Sequence, residues 1–133
     1  MSRDILLNLP EAVSMSYLEM VPEFDKYNEL MQRVVVLVLL HLSDDRLLLD
    51  GKSLYQFAGT ITTTGVDAVN RRLAFVASAA TDLLNEDVDD TDTDNYIRNL
   101  SLEIVPSGRM FRLLINISTE SENNITGALT IDG

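Results

Sequence analysis

A run of carboxylates and a single histidine are the residues of this chain best suited to chemistry. Glu86, Asp87, Asp89, Asp90, Asp92 and Asp94 set six negative charges within nine residues. Inside the run, Asp90-Thr91-Asp92-Thr93-Asp94 places oxygen ligands at positions 1, 3 and 5 of a calcium-type loop, with Ile97 at the apolar eighth position. The pattern then fails. Position 6 is Asn95, where the sharp turn wants glycine, and position 12 is Ser101, where the bidentate glutamate belongs. The run therefore reads as a solvated turn, exposed and mobile without a partner, because its charges repel and it has little apolar surface to bury. His41 lies between Leu40 and Leu42 at the end of an apolar run. That is the setting of a partly buried or helix-terminal histidine. The absence of cysteine removes thiolate nucleophiles, disulfides and Cys-based zinc sites. The six glycines are scattered, so no phosphate-cradling loop is present. Acids abound, yet nothing places two of them across a cleft as a glycosidase requires. No catalytic, cofactor-binding or metal-binding residue is assigned, and the protein is not expected to be an enzyme.

The elements that would position these residues form one domain over 1–133, since 133 residues with 46% hydrophobic content fit a single core. A net charge of −11 opposes binding nucleic-acid phosphate. Much of it sits in the acidic run, so it marks one loop and not the whole surface. No signal peptide is visible, as Arg3 and Asp4 precede only a short apolar patch before Pro10. Val34–Leu40, the most apolar run, is far short of the ~20 residues a membrane helix needs. Neither nucleic acid nor membrane is an expected partner.

The central element is a helix over Thr64–Leu84. Val66, Val69, Leu73, Val76, Ala77, Ala80, Leu83 and Leu84 make one stripe, with Asp67, Asn70, Arg71, Ser78 and Asp82 on the other face. Thr64 reads as its cap, Asp67 complements the dipole, and Asn85 ends it. Residues 1–22 form an N-terminal arm or short helix opening at Asn8 and Pro10, with Val13, Tyr17 and Met20 on its inner face, stopped by Pro22. The core over 23–133 begins with a helix from Glu23 to about Leu42. Its inner stripe is Tyr27, Leu30, Met31, Val34, Val35, Val38 and Leu42, and Glu29 and Arg33 pair outside. Val34–Val35–Val36 would also suit a buried strand, but the pattern runs too far on both sides for one. An all-round apolar helix implies burial on most faces, including against another subunit. Ser43–Thr63 is a connector with a tight turn at Asp50–Gly51 and a short helical turn at Leu54, Tyr55 and Phe57.

Three strands follow the acidic run. Leu100, Leu102 and Ile104 alternate with polar residues, as do Phe111, Leu113, Ile115 and Ile117, and then Ile125, Leu129 and Ile131. Turns fall at Pro106–Arg109 and Glu120–Asn124. The fold class is α+β, with two to three helices packed on one face of a three-stranded antiparallel sheet. The third strand is an expected sheet edge with no proline or lysine to blunt it, so it is expected to pair with another chain. The candidate partner-binding residues are Glu86 and Arg98, flanking the acidic run, with Ile125, Thr126, Leu129, Thr130 and Ile131 on that strand.

This order of elements resembles the lysozyme-like baseplate wedge proteins of contractile phage tails and related injection systems. The likeness covers about Tyr27–Ile131. The family's arginine and Pro-Asp/Glu-Phe-Gly motif followed by leucine corresponds to Arg46-Leu47-Leu48-Leu49-Asp50-Gly51-Lys52-Ser53-Leu54, which lacks the proline and phenylalanine. The family's Glu-Pro-Arg triplet is broken here. Only Glu86 before the acidic run, and Tyr96 and Arg98 after it, could correspond. Leu100-Ser101-Leu102-Glu103-Ile104-Val105-Pro106 looks like the family's own strand. The resemblance implies a sheath-initiating structural subunit, made in the host cytoplasm and placed in the virion's tail baseplate. Its implied partners are other baseplate proteins, the tail sheath protein and the tail tube, with copies in a six-fold ring. A second reading from another class is an acidic secretion-type chaperone that binds an extended client segment.

Overall fold

The computed structural model describes residues 29–52 and 54–131. The expected arm over 1–22, the helix start at Glu23 and the inward-facing Tyr27 lie outside the described residues. Among the described residues, three helices, α1 (Glu29–Asp44), α2 (Leu54–Thr64) and α3 (Val66–Glu86), precede three strands, β1 (Ile97–Ser107), β2 (Met110–Thr119) and β3 (Asn124–Ile131). The strands form an antiparallel meander in the order β1-β2-β3. The fold is α+β, as the alternation of period and element order requires.

α1 is helical through Val34–Val36 despite three β-branched residues in a row. Burial wins over propensity here: Met31, Val34, Val35, Val38, Leu39 and Leu42 are all fully buried. Each large side chain so buried contributes about 1.5–3 kcal/mol, against a few tenths for an unfavourable helix former. Arg33 does not pair with Glu29 as expected. Its guanidinium instead donates to Asn95 Oδ1 at 3.5 Å, across the fold.

α2 corrects the expected connector. It is a full helix of 11 residues, and Ile61–Thr64, expected to lead into the next helix, is its last turn. Phe57, Ala58 and Ile61 share one face and are 0%, 6% and 0% exposed, so tertiary burial holds a threonine-rich segment helical. Thr62 returns its hydroxyl to the Ala58 carbonyl at 3.0 Å, which satisfies it within the helix. Consequently Thr64 is the last residue of α2 and caps nothing. The break falls at Gly65, whose φ of +99° lies where a side chain would be strained. Gly65 donates back to Ile61 and accepts from Val69, so one glycine both ends α2 and starts α3.

α3 runs to Glu86, one residue beyond Asn85. Val69, Leu73, Val76, Ala77 and Ala80 are buried, as the stripe predicted, but Leu83 is 48% exposed. The sheet meets the helices with one face. Leu102, Ile115, Leu113 and Leu129 are buried there, while Ser101, Glu103, Asn116 and Thr126 on the other face are exposed. β1 and β2 turn at Gly108, with φ +62°. A register shift between Ile97 and Asn99 bulges the start of β1.

Candidate functional site

Among the described residues, the two edges of the sheet offer unpaired strand backbone, and they are built differently. At the β1 edge, two asparagines of α3 act as clamps. Asn70 Nδ2 donates to the Ile104 carbonyl at 3.1 Å while its Oδ1 accepts the Ile104 N–H at 2.7 Å. Asn85 does the same to Ile97, at 2.8 Å in both directions. A side-chain amide carries one acceptor and two donors, so it can reproduce the pairing of a neighbouring strand. The spacing fits. Asn70 to Asn85 spans about 22 Å of helix, and Ile97 to Ile104 about 23 Å of strand. α3 therefore lies antiparallel along β1 and fastens both of its ends. Pro106, which has no N–H, blunts the same edge further on.

Between the clamps the edge is open. Leu100, Leu102 and Ile104 oppose Ile117, Ile115 and Leu113. Because Ile104 turns its N–H and C=O to Asn70, these are the positions whose backbone groups point away from β2. Those of Leu100 and Leu102 have no partner among the described residues. They face a cleft of about 490 Å³ walled on the helix side by Ala74, Ala77, Ser78 and Thr81.

At the β3 edge no side chain among the described residues clamps the backbone. Leu113, Ile115 and Ile117 of β2 turn to Leu129, Gly127 and Ile125, so Thr126, Ala128 and Thr130 direct their N–H and C=O outward. Of the five residues expected to meet a partner on this strand, only Thr126 and Thr130 offer backbone. Ile125, Leu129 and Ile131 bond inward, and Leu129 and Ile131 are each 1% exposed, so their side chains belong to the core. Ala128 was missed by the sequence reading. It lies at the centre of the edge but is 4% exposed, so the open stretch of β3 is its Asn124–Thr126 end.

Glu86 and Arg98 are both exposed and flank the acidic run, but they do not pair with each other. Arg98 lies 3.9 Å from Glu122, an exposed and weak ion pair. The acidic run itself is exposed at most positions, as expected, and it is tied to a neighbouring turn. Ser121 donates to the Thr93 carbonyl at 3.1 Å, and Glu120 to the Tyr96 carbonyl at 2.9 Å, docking the run on the β2–β3 turn. Asn95 donates to both carboxylate oxygens of Asp92, at 3.1 and 2.9 Å. Thr91 gives its N–H and hydroxyl to Asp89 Oδ1, which holds the Asp89 carboxyl below the usual aspartate range. Asp89 and Asp92 are thus engaged by their own turns. Among the described residues, no three acidic or histidine groups gather as metal ligands would.

His41 is half-buried, and its Nε2 has no hydrogen-bond partner. It lines a second cleft, of about 480 Å³, with the exposed Leu47 and Phe75 at its mouth. There Arg72 joins Asp45 at 2.6 Å and lies 5.3 Å from the centre of the Phe75 ring. No helix among the described residues is long and apolar enough to cross a membrane.

The asparagine clamps are what sequence reasoning missed, since Asn70 was placed on the solvent face and Asn85 at a helix end. One signal was available: asparagine is a poor residue inside a helix unless its amide has other work. Compared with known proteins, the chain matches no family model, no curated protein and no solved structure.

Proposed function

We propose that this protein is a structural assembly subunit that joins its neighbours by strand pairing, in the baseplate of a contractile tail or a related injection machine. The observation that supports it best is the asymmetry of the sheet. β3 is an edge strand without lysine or proline and without a clamp among the described residues, and Thr126 directs its N–H and C=O outward at its exposed end. The element order supports the baseplate setting through the resemblance drawn above, although the Pro-Asp/Glu-Phe-Gly and Glu-Pro-Arg motifs are degraded. On this reading the strand initiates sheath assembly by accepting a segment of the first sheath ring. The acidic run faces a basic neighbouring surface, with Glu86 and Arg98 flanking it.

Co-sedimentation tests the assignment. The protein should travel with assembled tail particles, and Thr126→Pro should fold yet remain in the supernatant. Free wild-type protein in a lysate full of particles would overturn the reading. A chaperone for extended clients is the alternative, and a specific observation favours it: the open backbone of Leu100 and Leu102 in the α3–β1 cleft.

A further inference from the structure

We infer that the cleft between α3 and β1 binds an extended segment of another polypeptide, paired by its backbone to Leu100 and Leu102 and carrying a basic residue at the Asp82 end. The inference does not depend on the baseplate reading, because that reading uses β3 and this one uses β1.

The shape of the unmet bonding requirement selects the ligand. Leu100 and Leu102 each direct one donor and one acceptor into the cleft, two residues apart on one strand. An extended chain is the ligand that answers such a row, since its own edge repeats donor and acceptor at the same interval. The clamps at Ile97 and Ile104 limit the row at both ends, so the bound segment is short, about four or five residues. The helix wall is built to leave room. Ala74 and Ser78 are exposed and small, and Ala77 and Thr81 lie beside them, so no long side chain fills the space opposite the leucines.

Charge sets the chemistry of the segment. The middle of the cleft is neutral. Asp82 lines it at the Arg98 end, and the acidic run begins about one turn further along α3, at Glu86. Arg98 lines the same end, 3.9 Å from the exposed Glu122. A lysine or arginine flanking the segment would therefore enter a field dominated by carboxylates, whereas an acidic flank would be repelled.

The test uses the full chain and short fluorescein-labelled peptides of alternating valine and threonine, flanked by lysine in one series and by glutamate in the other. Fluorescence anisotropy at low salt should show the lysine series binding at least about tenfold more tightly. Amide exchange should slow at Leu100 and Leu102 when that peptide is added. Ala74→Phe and Ser78→Phe, both at exposed helix positions, should fill the cleft and weaken binding by about tenfold or more, with thermal unfolding unchanged. Thr126→Pro should bind as the wild type does. The inference is overturned if neither series binds at millimolar concentration, or if the phenylalanine variants bind normally. Protection appearing at Thr126 and Ala128 instead would also overturn it, and would place strand addition at the other edge.

Discussion

The sheet has two edges, and the protein treats them in opposite ways. The β1 edge is fastened by Asn70 and Asn85 and ends at Pro106, leaving only Leu100 and Leu102 open beside a shelf of small residues. The β3 edge has no clamp among the described residues, and the strand carries no charged side chain. It relies on burial at Ala128 and is bare toward Asn124. Exposed edges invite uncontrolled pairing, so a fold that guards one edge with two asparagines and leaves the other uncharged implies different duties for the two. The lesson is that the β1 edge is protected mainly by a helix lying alongside the strand, with Pro106 the one contribution from within it.

The largest expected effect removes the support of the guarded edge. Leu73 is fully buried at the middle of α3, so Leu73→Ala should cost about 2–5 kcal/mol, read from chemical denaturation. An unchanged midpoint would mean that α3 does not depend on its core stripe for its place beside β1. Next come the clamps. Asn70→Ala and Asn85→Ala each strip partners from a part-buried backbone pair and should cost about 1–3 kcal/mol. Amide exchange at Ile104 and Ile97 should accelerate in the matching variant, and the double variant should self-associate, since its β1 edge would then resemble β3. If its oligomeric state matches that of the wild type, the clamps serve stability alone.

Thr126→Pro probes the unguarded edge. Proline is tolerated on an edge strand where the N–H faces outward, so folding should change by no more than about 1 kcal/mol while particle assembly is lost. Asp45→Asn weakens the tie between the α1–α2 turn and α3. Arg72 is 40% exposed, so solvent screening should hold the cost to about 1 kcal/mol or less. The smallest effect is that of pH on Asp89. Its carboxyl is depressed by the bonds from Thr91, so its contribution is present above the ordinary aspartate range and is lost as pH falls through the lower, folded value. By NMR, the Thr91 amide shift should hold steady through the range where ordinary aspartates titrate and change only below it.

The acidic run separates what was legible from what was not. Its exposure follows from composition, because six carboxylates within nine residues cannot be buried without partners. Its docking on the β2–β3 turn does not, because the bonds come from the backbone of Glu120 and Ser121, which any residue there could supply. The same division holds for the candidate site. Period-2 alternation marked the strands and their covered face, and chain order made β3 a terminal strand. Which backbone groups point outward awaited the register, since Thr126 and Thr130 offer theirs while Ile125, Leu129 and Ile131 spend theirs on β2.

The sequence by itself determined the class of fold, the buried stripe of α3, the alternating strands and the place of the charge. Those are properties of local periodicity and composition, and each can be read within a window of a few residues. The tertiary structure alone decided that Leu54–Thr64 is a full helix, since the burial of Phe57 and Ile61 overrides a threonine-rich end. It also decided that Asn70 and Asn85 face a strand and not water. Those partners lie 34 and 12 residues away in the chain, and a hydrogen bond across such a distance exists only once packing has brought the two backbones side by side.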